Sequence, residues 1–526
     1  MICYTPANQL TLEGFDHPFD SALDPENRWV KLAAVIPWDE LAAVYSDHLS
    51  STGRKSVDIR MVIGAVIVKH RLRLSDRETV AMIAENLYLQ YFCGLKSFQT
   101  QPPFDPSLFV DIRKRMGAAC FDAFNDAVIA RSQQLTPPRK RVMREEDPKN
   151  TGQSGGSSAR PAGDSKGNDE KPANKGRLTI DATVADQQIA YPTDLGLIHT
   201  ARKESERLID LLYKQSELTQ KPRTYRRKAQ AAYLAVAKKR RKSKKEIRKA
   251  IGAQLRYLRR NLGHIHSLLD RLGSAAFALP HRDQRIFWVI QLFYDQQKQM
   301  YDERSRSHPN RIVSIYQPWV RPIVRGKDKA KVEFGAKINI SEYNGMSKID
   351  TIGWEAYNES VDLPKQVERY KKTFGCYPEL VLADRIYFNR ANRAWLKARE
   401  IRIVGKPLGR PPKEELSAYQ KRKRRKERNQ RNLVEGKIGQ GKNGYGLGCI
   451  KARRQDTAES WMGAIFFVMN LVTLMKVAGD YFFSVFLRRF SHIRASCLPD
   501  IVAIDLARPA FRPAGLVTSR GIRSWP

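Results

Sequence analysis

A chain of 526 residues has room for two to four domains, and its 42% hydrophobic content supplies a core, which excludes a disordered polymer. Lys plus Arg number 93 against 55 Asp plus Glu, a net charge of +38, so the partner to expect is a polyanion, either nucleic acid or an anionic membrane. The six cysteines form no C-x-x-C pair, which argues against structural zinc and a disulfide framework and fits a reducing cytoplasm.

The N-terminus, MICYTPANQLTLEGFDHPFD, shows no basic stretch ahead of an apolar one, so no signal peptide is expected. Residues 38–135 read as helices. Val57 to Val68 is an apolar helical run, and Ser75-Asp-Arg-Glu78 is a capping box opening a helix through about Leu89. A further helix follows Pro106-Ser107 and carries Arg113, Lys114 and Arg115. Two readings stand for this all-α region, 1–136: a helix-turn-helix-like DNA-binding domain, or a plain helical bundle for dimerisation. Residues 137–176 are rich in Gly, Ser, Pro and Asn without apolar periodicity, the composition of a flexible linker.

Arg177 to Val184 then reads as a strand, with further strand-like pieces at Arg311–Tyr316, Val332–Ile340, Lys348–Ile352 and Glu379–Leu382. Between the first and the rest lies a helical block at about 200–302. Its Ile251, Leu255, Leu258, Leu262, Ile265, Leu269 and Leu272 form a heptad stripe. A coiled-coil dimer seam and an intramolecular hairpin both satisfy that stripe, and Gly252 and Gly263 within it favour the hairpin. The runs KKRRKSKK (238–245) and KRKRRKER (421–428) are too dense for salt-bridged faces and suit phosphate contacts. The apolar run Trp461–Met475 is interrupted by Asn470 and closed by Lys476. A bilayer span needs about 20 residues, so a buried core helix is expected and no membrane partner. The core should span 177–475, with 476–526 as an unassigned tail.

EGKIGQGKNG (435–444) comes close to a Walker A loop, but Asn443 stands where Ser or Thr is needed for magnesium. What precedes it, KRKRRKERNQRNLVE, is charged and helical in composition, not the buried strand such a loop requires. The ATPase reading fails on both counts. Glu435 is the alternative focus. Arg431 lies one helical turn before it and Lys442 follows, so its carboxylate should stay ionised and suit a metal ligand better than a general acid. Two further carboxylates follow apolar strands: Asp181 after Leu-Thr-Ile, and Asp384 after Leu380-Val-Leu-Ala383. Acids at strand ends that share a cleft can hold metal ions for displacement at phosphorus.

The flanks of these acids resemble the insertion-sequence transposases of the DDE superfamily. LTIDATVADQQIAYPTDLGLI (178–198) is similar to the first-Asp block, and LVLADRIYFNRANRAWLKAREIRIVGKPLGRPPK (380–413) to the second. RNLVEGKIGQGKNGYGL (431–447) is similar to the C-terminal Arg-x3-Glu-x6-Lys signature. Residues 56–95 and 320–341 resemble other parts of the same family. The resemblance implies an α/β fold: a ribonuclease H-like mixed sheet flanked by helices, with an inserted helical hairpin and an all-α N-terminal domain. It further implies that Asp181, Asp384 and Glu435 form a metal-binding catalytic triad using Mg2+, with two ions expected and Mn2+ able to substitute. Arg431 and Lys442 would contact DNA phosphates, and Arg428 stands where some relatives place a Tyr. The activity implied is binding of terminal inverted repeats, cleavage and strand transfer on double-stranded DNA by a homodimer or higher oligomer in the cytoplasm. A catalytically inactive DNA-binding regulator is the alternative. Gly409-Arg410-Pro-Pro412 is either an AT-rich minor-groove contact through Arg410 or a turn.

Overall fold

The computed structural model describes residues 3–4, 22–49, 56–136, 173–273, 278–324, 332–404 and 417–496, with side chains through 481. The expected linker, except 173–176, and Arg410 lie outside the described residues. The chain divides into two units, Met1–Val477 and Ala478–Pro526; in the second, residues 478–496 are described and are helical.

The first unit opens with α1 (Arg28–Val35), α2 (Trp38–Ser46), α3 (Ile59–Leu72), α4 (Asp76–Glu85), α5 (Leu87–Phe92), α6 (Leu108–Arg115) and α7 (Ala118–Leu135). The Ser75/Glu78 capping box forms in both directions. The helix it opens ends at Glu85 rather than Leu89. Asn86 turns extended (φ −118°, ψ 113°), and its side chain accepts from the Leu89 N–H, capping α5 instead. Arg113 is turned inward, where it forms a bidentate pair with Asp76 at 2.8 Å.

One six-stranded sheet forms the centre. Its strands are β1 (Arg177–Asp186), β2 (Arg321–Val324), β3 (Val332–Tyr343), β4 (Met346–Gly353), β5 (Leu380–Leu382) and β6 (Arg402–Ile403). The order is β2-β3-β1-β5-β6, with β4 also on β3. β1 runs antiparallel to β3 on one side and parallel to β5 on the other. The parallel return from β4 to β5 passes through α12 (Leu363–Phe374), as such crossovers require. The chain is thus α/β with a mixed sheet.

Between β1 and β2 lie α8 (Asp194–Gln215), α9 (Arg226–Ala237), α10 (Lys244–Leu272) and α11 (His281–Asp302). The heptad stripe on α10 is used within the chain. Leu255, Leu258, Leu262 and Ile265 share a core with Leu208, Leu212, Phe287 and Phe293, Ile251, Leu269 and Leu272 pack partly buried against it, and Leu268, outside the stripe, is buried in it. Arg311–Tyr316 is not a strand. The Ile312 N–H donates to the Gln296 side chain, and Ile312 and Ile315 join the helical core instead of a sheet. β2 forms farther on, at Arg321.

After β5 come α13 (Arg390–Lys397), α14 (Ala418–Gln430), α15 (Asn432–Gly444) and α16 (Gln455–Ser496). By length and composition Gln455–Tyr481 is apolar enough to cross a membrane, yet most of it is buried within the structure. Its side chains meet the N-terminal helices: Phe467 packs on Phe121 and Phe124, and His70 packs edge-on to Trp461. A Cβ at Gly463 would lie 2.8 Å from Phe121 Cβ, so glycine sets this helix approach. Asn470, fully buried, donates to Asn125 Oδ1 and Ser347 O at 2.7 Å each and accepts the Ser347 N–H at 2.9 Å, tying α7, β4 and α16 together.

Asn470→Ala would orphan these groups at about 1–3 kcal/mol for each one left unsatisfied. Urea denaturation should show stability falling by at least about 2 kcal/mol; an unchanged midpoint would contradict this junction. His70 supplies a pH test. Burial, then Lys69 and Arg113, lowers its pKa from the ordinary 6.5 to about 3. The unfolded chain then binds more protons, so stability should be fully present above pH 6.5 and lost as pH falls through about 3. His70→Leu should flatten that part of the stability profile, and equal slopes would contradict the assignment.

Candidate active site

Asp181 and Asp384 are placed by strand register. Thr179 pairs with Leu382 at the last matched position of the parallel β1–β5 ladder. Asp181 and Asp384 each lie two residues farther on, and two residues is the period that returns a strand's side chains to the same face. Asp181 lies opposite Ile340, is half-buried, and accepts the Ala182 N–H at 2.8 Å. Asp384 leaves β5 and caps a short 3-10 helix, Arg385–Tyr387, accepting the Arg385 N–H at 2.7 Å.

Glu435 reaches this end of the sheet on α15, which packs on β1 and β3. The glycine-rich signature that comes close to a Walker A loop in sequence is therefore a helix. Gly436, Gly439, Gly441 and Gly444 weaken it intrinsically, but Val434 and Gly441 are buried, and Lys437 donates to Thr473 at 2.9 Å. Glu435 sits in the first turn, where the helix N-terminus favours a carboxylate.

Arg431, between α14 and α15, joins two of the acids. Its Nη2 lies 2.6 Å from Glu435 Oε1 and its Nη1 lies 3.7 Å from Asp384 Oδ1. Two carboxylates from different elements therefore share one cation. Among the described residues, no group of three or more His, Cys, Asp or Glu side chains is drawn together closely enough to hold a metal ion. The donor chemistry nonetheless fits a hard divalent cation: all three are carboxylates, and the guanidinium stands in for a cation at two of them.

Lys442 is placed apart. Two turns along α15, its Nζ lies 3.9 Å from Asp186 Oδ2 and 3.8 Å from Glu333 Oε1, at the far end of β1. Arg428 is exposed in the last turn of α14, and its carbonyl accepts the Arg431 N–H at 3.0 Å. α14 has no buried residue, so the run KRKRRKER presents its charge to solvent.

A polar layer behind β1 was missed in the sequence. Asn339 donates to Asp362 at 2.8 Å and accepts from the Tyr387 hydroxyl, while Lys337 pairs with Glu359. The alternation Lys337-Ile-Asn339-Ile-Ser341 is the signal, but that pattern ordinarily marks a solvent face, and here all three polar residues are buried.

Residues 17–115 match the family described as "Transposase domain (DUF772)", and residues 381–472 match "Transposase DDE domain". The second match contains Asp384, Arg431, Glu435 and Lys442. An "Uncharacterized protein ORF8 in nfe locus" from Rhizobium meliloti is 28% identical over 180 residues, 34% of this chain and 72% of that protein. No solved structure matches.

Asp384 and Glu435 are 61% and 46% exposed, so their ion pairs with Arg431 should add little to stability. Arg431→Met should shift the folding free energy by less than about 1 kcal/mol. A larger loss in a denaturation titration would make Arg431 a structural residue first.

Proposed function

We propose, for a chain that belongs to the insertion-sequence DDE transposases, that it binds the terminal inverted repeats of a mobile element and cuts and joins DNA strands. The observation that carries this reading is the meeting of Asp384 and Glu435 at one cation, beside Asp181 on the neighbouring strand. A central acid-bearing strand with antiparallel neighbours on one side and a parallel, acid-bearing neighbour on the other supports a ribonuclease H-like core.

In this reading Asp181, Asp384 and Glu435 hold Mg2+, for which their oxygen ligands suit Mn2+ equally. When bound, such an ion supplies Lewis acidity at phosphorus and a more acidic attacking hydroxyl. The chain's own residues do the rest. The sheet fixes Asp181 and Asp384 on adjacent strands, so little rearrangement is needed at the reacting phosphate. Arg431 keeps the carboxylates' charge balanced until DNA arrives, then offers its guanidinium to phosphate, a geometry that fits this group well. Arg428 and the exposed cations of α14 hold the DNA backbone, a contact that weakens as salt rises. Lys442 serves phosphate farther along α15, and Arg410 serves the minor groove unless residues 409–412 form a turn.

Asp181→Asn, Asp384→Asn and Glu435→Gln should each reduce cleavage and strand transfer on the order of 10³-fold or more, and double variants should be no worse than singles. DNA affinity, dominated by Lys and Arg, should stay near wild type in a filter-binding assay. Cleavage should stop with EDTA and return with Mg2+ or Mn2+. Were Glu435→Gln to cut at a comparable rate, Glu427 or Glu459 would have to take its place.

A further inference from the structure

Tyr387 is fully buried, three residues beyond Asp384, and is tied to it directly: its N–H donates to the Asp384 carbonyl at 3.1 Å. Its hydroxyl leaves the β5 side of the sheet and donates to Asn339 Oδ1 on β3 at 2.5 Å. β1 lies between those two strands, so the tyrosine reaches across the strand that carries Asp181. The residue of β1 opposite Asn339 is Ala182, next to Asp181, and its small side chain leaves room for the crossing.

Both ends are held. Asn339, also fully buried, donates to Asp362 at 2.8 Å, which fixes its amide so that the oxygen faces Tyr387. The Tyr387 carbonyl accepts from Asn392 at 2.8 Å, and Asn392 also donates to the Ser360 carbonyl at 2.7 Å. A buried hydroxyl was not required for packing, because phenylalanine fills the same volume. The hydrogen bond is what the tyrosine adds.

We propose that Tyr387 and Asn339 form a positioning strut that sets the separation of Asp181 and Asp384, and through it the affinity of these carboxylates for a divalent cation. This rests on the reading of Asp181, Asp384 and Glu435 as the metal-holding set. Neither strut residue touches the reacting atoms; both act through the two aspartates.

The test is Mn2+ binding to the full chain without DNA, followed by electron paramagnetic resonance, with melting temperature recorded in parallel. Tyr387→Phe should weaken Mn2+ binding about fivefold, the worth of one ordinary hydrogen bond. Asn339→Ala removes the same bond together with the donation to Asp362 and should weaken binding at least as much, and adding Tyr387→Phe to it should cost nothing further, because the bond they share is already gone. Tyr370→Phe is the control. It deletes another buried hydroxyl, which donates to the Lys175 carbonyl at 2.9 Å, and should lower the melting temperature similarly while leaving Mn2+ affinity unchanged. Unchanged Mn2+ affinity in Tyr387→Phe, with Asp384→Asn losing it, overturns the strut alone. Mn2+ binding that survives Asp384→Asn overturns the metal reading, and the strut with it.

Discussion

Everything at the candidate site depends on the register of β1 between β3 and β5. A strand has two faces, and a slip of one residue exchanges them. With Thr179 opposite Leu382, Asp181 and Asp384 each follow the last matched pair of the β1–β5 ladder by two residues, Asp181 within β1 and Asp384 just past β5. With Asp181 opposite Ile340, the same strand keeps Ile180 and Val184 buried. The register that satisfies the core is therefore the one that aligns the acids. The helical insertion leaves after β1 and returns before β2, and its own core of leucines and phenylalanines lets it fold without disturbing that pairing.

The third acid arrives by a different physical route. α15 is poor in intrinsic helix stability because of its glycines, and α14 is poor in it because like charges recur one turn apart with no apolar face to compensate. α15 is secured by packing on β1 and β3, and the exposed α14 ends where Arg431 turns toward the carboxylates. Ion pairs this exposed are weak, so Arg431 can exchange its carboxylate partners for phosphate at small cost. A polyanion would relieve the repulsion on α14 at the same time. Part of the chain's excess positive charge thus lies on a solvent-facing helix next to the candidate site.

The sequence was most legible where local physics decides. The Ser75 capping box, the strand through Asp181, and the i,i+4 spacing of Arg431 and Glu435 each correspond to an observed local contact or element. It misled where tertiary packing overrides local pattern. Asn86 breaks a run of good helix residues, Arg311–Tyr316 spends its β-branched residues on a helical core, and the glycines of 436–444 suggest a loop where sheet packing holds a helix. The Tyr387–Asn339 bond was invisible because its partners lie 48 residues apart and each alone reads as ordinary. Placement of Lys442 against Asp186 and Glu333 likewise depends on how far α15 runs along β1, which no local spacing encodes.

In the proposed reading, the cation shared by Asp384 and Glu435 marks a metal site completed by Asp181. Crystals of the full chain soaked in Mn2+ and measured at the manganese absorption edge test it most directly. An anomalous peak bounded by Asp181, Asp384 and Glu435 is expected, with the Arg431 guanidinium displaced from both carboxylates. A manganese peak elsewhere in the chain, with Arg431 still bridging Asp384 and Glu435, would contradict it.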